Sequence, residues 1–139
     1  MFLFDTTYLI NLTNKDKGAV KRAEEIDSTP VFKAISVITV QEYLRGIYYL
    51  FSKDTQLLNL KLEKAEKDLS YFEVLEIDYS TAKMAADIDA ELLHKGTPVS
   101  ISDVLIAASA IKYNLTVITR NDKDFNKISN VSNLKYESY

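Results

Sequence analysis

Five acidic residues, Asp5, Glu42, Asp103, Asp122 and Asp124, each stand where an apolar run gives way to a helix or a turn. Asp5 closes the short run Phe2-Leu-Phe, and Glu42 falls early in the helical pattern that Thr39 opens. Asp103 lies in the first turn of a helix from Ser100 to Asn114, while Asp122 and Asp124 follow the β-branched run Leu115-Thr-Val-Ile-Thr119. Carboxylates about 4 Å apart repel by roughly 4 kcal/mol at an effective dielectric near 20. A cluster of them therefore calls for a cation, protons or basic neighbours. The chain has no cysteine and one histidine, His94, so a metal would be held by oxygen, which favours Mg²⁺ or Mn²⁺. Such an ion, bound by one or two carboxylates with its waters retained, suits phosphodiester chemistry.

Each acid also has a plainer use. Thr39-Val-Gln-Glu42 and Ser100-Ile-Ser-Asp103 both fit the capping pattern in which an acid reaches back to the helix start, and Asp5 can cap the helix after it. One of Asp122 and Asp124 reads as a solvated loop acid. Arg45 and Arg120 flank the acids and can serve substrate phosphate or simple charge balance. His94, beside Lys95-Gly96, reads as a surface residue at a helix end, and Asp87, Asp89 and Glu91 as a wet helix face.

The elements that must bring the acids together follow from periodicity. The order read from the sequence is a strand at Phe2–Asp5, helices over 6–12 and 14–27, and a strand over 31–36. A helix from Thr39 follows, with Val40, Tyr43, Leu44, Ile47 and Phe51 inward, then one capped by Asp54 and running to Ser70. Next come a strand over 72–77, a helix over 78–95 stopped by Gly96, the helix–strand unit over 100–119, a short helix at Phe125 and Ile128, and an edge strand over 134–136. Strands alternating with helices predict an α/β layer sandwich with a mainly parallel sheet. In such sheets ligands gather beyond the carboxyl ends of the strands, where strand order reverses. The acids meet there if the first and fourth strands are neighbours.

At 139 residues, 47% hydrophobic and 27% charged, the chain reads as one soluble domain over 1–139. No apolar run approaches the roughly 18 residues of a membrane span, and the start lacks a signal-peptide pattern, so the expected location is cytoplasmic, away from membranes. A net charge of −3 argues against a protein that coats DNA, but not against a nuclease whose acids await a metal.

Four blocks together resemble the PIN domains, specifically ribonuclease toxins of the VapC type. They are Phe4-Asp5-Thr6-Thr7, Ile38-Thr-Val-Gln-Glu42-Tyr-Leu-Arg-Gly46, Gly96-Thr-Pro-Val-Ser-Ile-Ser-Asp103-Val-Leu-Ile-Ala-Ala108 and Thr119-Arg-Asn-Asp-Lys-Asp-Phe125. The resemblance implies a three-layer α/β/α fold with about five strands and a metal-dependent RNA endonuclease, a homodimer whose partners are RNA and a cognate antitoxin. It implies Asp5, Glu42 and Asp103 as the first three acids of an Mg²⁺ or Mn²⁺ site, with Asp124 the favoured fourth and Asp122 its substitute. Thr6, Thr7, Arg45, Thr119, Arg120 and Asn121 are the expected supporting or substrate residues. The chain departs from the family pattern at Thr7, where an asparagine is usual, and at Asn121, where many relatives carry the fourth acid.

The alternative to a nuclease is a PIN-like scaffold or RNA-binding module with a degenerate metal site. A dehalogenase-type phosphatase wants a second acid at position 7, where threonine stands. A phospho-accepting receiver domain wants acids before Asp5 and a lysine ending a late strand. Tyr48, Tyr49, Leu50, Leu57 and Leu60 fall off the inward stripes of their helices, and predict a partner surface unless the two helices pack them together.

Overall fold

The computed structural model describes residues 1–139. The elements are β1 (Phe2–Phe4), α1 (Thr6–Thr13), α2 (Lys17–Asp27), β2 (Lys33–Ser36), α3 (Val37–Phe51), α4 (Thr55–Leu69), β3 (Glu73–Leu75), α5 (Tyr79–His94), α6 (Ile101–Lys112), β4 (Thr116–Thr119), α7 (Asp122–Asn130) and β5 (Lys135–Ser138). The five strands form one sheet in the order β3-β2-β1-β4-β5, and every pairing is parallel. The chain winds outward from β1 to β3, then returns to β1's other side with β4. The reversal of strand order therefore falls between β1 and β4, where the register Leu3↔Val117 and Phe4↔Ile118 brings Asp5 level with Thr119.

Strand alternation sends side chains to two cores. Leu3, Ala34 and Val117 face α5, α6 and α7. Phe4, Ile35 and Ile118 face Tyr8 and Leu9 of α1, Ile26 of α2, Tyr43 of α3 and Leu69 of α4. This is the expected three-layer α/β/α sandwich. Phe4 stacks on Tyr8 at 4.6 Å between ring centroids, so the strand that delivers Asp5 is fixed by the helix that Asp5 caps.

Helix boundaries differ from the sequence pattern in an instructive place. α3 begins at Val37, not Thr39, because the Ser36 hydroxyl accepts the Ile38 N–H (3.1 Å) and caps it directly off β2. Thr39 is consequently buried within the helix, and Glu42 has no capping role. α2 starts three residues later than the pattern suggests, at an Asp16 cap after Lys15 in the left-handed region. β2 and β3 are shorter than their apolar runs. Gly96, with φ +67°, ends α5 as expected.

The off-stripe residues of α3 and α4 do not pack between the two helices. Tyr49 is 83% exposed, Leu50 71% and Leu60 64%, with Tyr48 also open. No helix is long and apolar enough to cross a membrane.

Candidate metal centre

Asp5 is the deepest acid, only 3% exposed. Its Oδ1 accepts the Tyr8 N–H (2.8 Å), which makes it the N-cap of α1. Its Oδ2 accepts the Thr119 hydroxyl, and Thr119 in turn accepts the Asn121 N–H (2.9 Å). Capping and clustering thus coexist in one side chain. Burial, first of all, together with the charges of Asp103 and Glu42, raises its pKa to about 6 against the pull of these hydrogen bonds.

Glu42 projects from α3, where the Thr6 hydroxyl donates to its Oε1 at 2.7 Å and also stands 3.1 Å from the Thr39 hydroxyl. Asp103 lies in the first turn of α6. The Ser100 hydroxyl accepts its N–H (3.3 Å), and its carboxylate accepts the Asn121 side-chain amide at 3.2 Å. That amide also donates to Asp124 Oδ2 at 3.0 Å, so one asparagine joins two acids. Burial raises the Asp103 pKa, and Asp124 and Glu42 add to the effect by charge. Asp5, Glu42, Asp103 and Asp124 therefore form one mutually repelling group at the strand-order reversal.

Other predicted residues go elsewhere. Asp122 takes a hydrogen bond from the Tyr136 hydroxyl (3.1 Å), away from Asp103. Arg120 turns from the acids to Asp16, donating at 3.0 and 2.6 Å. Of the two uses expected of it, substrate phosphate or charge balance, the ion pair with Asp16 is the one this structure contains. Thr7 is exposed, and its hydroxyl makes no hydrogen bond within the protein. Arg45 is the cation that remains, on the rim of a cleft of about 360 Å³ also lined by Asp5, Thr6, Glu42, Ser102 and Asp103. A larger groove of about 470 Å³ adjoins this cleft through Ile10 and Glu42, and runs between α1, α3 and α4. Its floor is mostly apolar, so the chemistry belongs to the smaller cleft.

The donor set is oxygen only, and the excess negative charge has no internal counterion beyond Lys127, 3.6 Å from Asp124. No three acidic side chains are arranged to grip one ion directly. Those features fit a hard ion that takes one or two carboxylates and keeps its waters, as Mg²⁺ does.

A family model for the PIN domain matches residues 2–131. The chain belongs to the PIN domain family. Among PIN domains it is 31% identical over 131 residues to the tRNA(fMet)-specific endonuclease VapC of Salmonella typhimurium, covering 94% of this chain and 93% of that one. It is 32% identical over 126 residues to ribonuclease VapC1 of Methanocaldococcus jannaschii, covering 91% and 79%. Among solved structures, a chain of VapBC2 from Rickettsia felis, bound to a DNA fragment from their promoter, aligns with TM-score 0.80 at 27% identity. That alignment covers 99% of this chain and 98% of that chain. The alignment with the VapBC2 chain extends over all five strands. Sequence reasoning placed Thr6 and Asn121 only as supporting residues; the PIN pattern around Asp5 and Phe125 was the signal that reached them.

Proposed function

We propose that this PIN domain is a metal-dependent RNA endonuclease, the toxin of a toxin–antitoxin pair, acting in the cytoplasm. The observation that carries the reading is the meeting of Asp5, Glu42 and Asp103, from the end of β1, α3 and α6, around one cleft, with Asp124 joined to Asp103 through the Asn121 amide and Asp5 buried, its pKa raised to about 6. Likeness to VapC ribonucleases supports RNA as the substrate, and likeness to VapBC complexes supports a cognate antitoxin. The open aromatic and aliphatic surface at Tyr49 and Leu60 supports a homodimer.

Asp5 and Asp103 would be the principal ligands of Mg²⁺ or Mn²⁺, with Glu42 and Asp124 completing the site. When bound, the ion lowers the pKa of a water and offsets charge on the phosphate. The remaining work belongs to the chain. Thr119 and the Tyr8 N–H fix both oxygens of Asp5, Thr6 holds Glu42 toward the cleft, and Arg45 offers the phosphate a cation at the rim. Glu42, held by Thr6 on the cleft wall, stands where its carboxylate can orient a nucleophilic water. Incubation of the purified protein with RNA and Mn²⁺ or Mg²⁺ tests the reading. Cleavage is expected to stop with EDTA and with Asp5→Asn; cleavage that survives both treatments overturns it.

A further inference from the structure

We infer that Arg120, which touches none of the four acids, is a positioning residue that holds both of its neighbours against them. Thr119 donates to Asp5 and Asn121 joins Asp103 to Asp124, so the tripeptide at the end of β4 reaches three of the four. Its middle residue points the other way and is clamped there. The Arg120 guanidinium makes a two-pronged pair with Asp16, the N-cap of α2, and lies 4.5 Å over the Tyr139 ring. Tyr139 is itself tied down: Asn11 donates to its hydroxyl at 2.8 Å, and its N–H donates to the Thr119 carbonyl at 3.3 Å.

The surroundings are shaped to the guanidinium. A Cβ at Gly18 would lie 2.8 Å from Arg120 Nη2, a distance at which the guanidinium must shift, and a tight 3.3 Å from Asp16 Oδ1. An exposed ion pair contributes little to stability, but a planar two-pronged one fixes direction. Thr119 is also held by its pairing with Ser138, so release of Arg120 is expected to loosen chiefly the turn that aims Asn121 at Asp103 and Asp124. Groups that orient metal ligands from behind typically matter 10- to 100-fold in affinity or activity.

The inference rests on the nuclease reading for its consequence, but not for its test. In metal-free protein labelled with ¹⁵N, the Asn121 side-chain amide signals report its hydrogen bonds to Asp103 and Asp124. Arg120→Ala is expected to shift them toward free-amide positions and, separately, to weaken Mn²⁺ binding about tenfold or more. Gly18→Ala is expected to do the same more mildly, and alanine favours the helix, so folding is not at stake. Lys112→Ala, which removes a comparable surface pair with Asp78, is expected to change neither. Unmoved Asn121 signals in both Arg120→Ala and Gly18→Ala overturn the inference. So does unchanged Mn²⁺ affinity in a protein whose wild type binds the ion, or a raised KM for RNA with kcat intact, which marks a phosphate contact instead. Should the wild type take up no Mn²⁺, the metal reading fails while the amide signals still decide the positioning role.

Discussion

The hydroxyl of Thr6 and the carboxylate of Glu42 lie 2.7 Å apart, joining the first turn of α1 to α3 across the cleft floor. The contact exists because β1 and β2 are adjacent and each runs straight into its helix. It restricts an otherwise mobile glutamate to the side of α3 that faces Asp5 and Asp103. Thr6→Val keeps the shape and removes the hydrogen bond. Cleavage is expected to fall roughly tenfold, while stability changes by only about 1 kcal/mol; kcat and urea unfolding check the two together. Unaltered kcat would show that Glu42 needs no support.

Asp5 links stability to pH. Its folded pKa of about 6 exceeds the ordinary aspartate value of 3.8, so the folded state prefers the protonated acid. The stability this group contributes is full below about pH 4 and is lost as pH rises through 6, a difference of roughly 3 kcal/mol. Asp103 shifts in the same direction. Metal-free wild type is therefore expected to lose melting temperature between about pH 4.5 and 7.5, and to lose more than Asp5→Asn does. Asparagine keeps the cap, so Asp5→Asn is expected to melt no lower than wild type at neutral pH without metal. Calorimetry at the two pH values measures this. A variant less stable than wild type at neutral pH would mean that Asp5 serves as a cap alone.

The same acid governs ion uptake. Protons compete with the cation for the Asp5 carboxylate, so Mn²⁺ affinity is expected to rise with pH through about 6 and to level off above it. Titration calorimetry across that range tests the slope. Affinity independent of pH would remove Asp5 from the ligand set.

Asp122 and Asp124 are separated by their bonds. Asp124→Asn is expected to weaken Mn²⁺ binding and cleavage, because Asp124 shares the Asn121 amide with Asp103. Asp122→Asn, which touches only the Tyr136 hydroxyl, is expected to leave both within about twofold, at the scale of ordinary surface substitutions. Parallel cleavage assays decide, and the reverse ranking would reassign the fourth acid.

Tyr49 and Arg45 divide the partner from the substrate. Tyr49→Ala is expected to lower self-association in sedimentation at tens of micromolar, roughly the range where weak interfaces show. Arg45→Ala is expected to raise KM for RNA and reduce its salt dependence by about one phosphate contact, with Mn²⁺ affinity intact. A monomeric wild type would leave the Tyr49 surface without a self-partner.

The acids were legible in the sequence because each stands at a change of periodicity, and α6 with β4 was legible because a small-residue helix precedes a β-branched strand. The beginning of α3 was not. Thr39-Val-Gln-Glu42 looks like a capping box, and only the direct passage from β2 to a Ser36 cap puts Thr39 inside the helix. The direction of Arg120 was hidden for a similar reason. Its position beside Asn121 left substrate phosphate and charge balance both open, and alternation along the strand end turns it to the opposite side, where Asp16 waits more than a hundred residues earlier in the chain. The double grip of Asn121 was also beyond the sequence, since it depends on where two helix starts meet.

The pairing of β1 with β4 has a consequence for synthesis. Asp5 is made more than a hundred residues before its hydroxyl partner Thr119 and the amide that holds Asp103. A ribosome that has released everything up to Leu115 has therefore exposed three of the four acids without assembling the site. At about 5–20 residues per second, Asp5 waits on the order of 6 to 20 seconds for the hydroxyl that fixes its second oxygen. Under the proposed reading, a nascent chain would gain its cleavage site only once β4 and the start of α7 have docked beside β1 and α6.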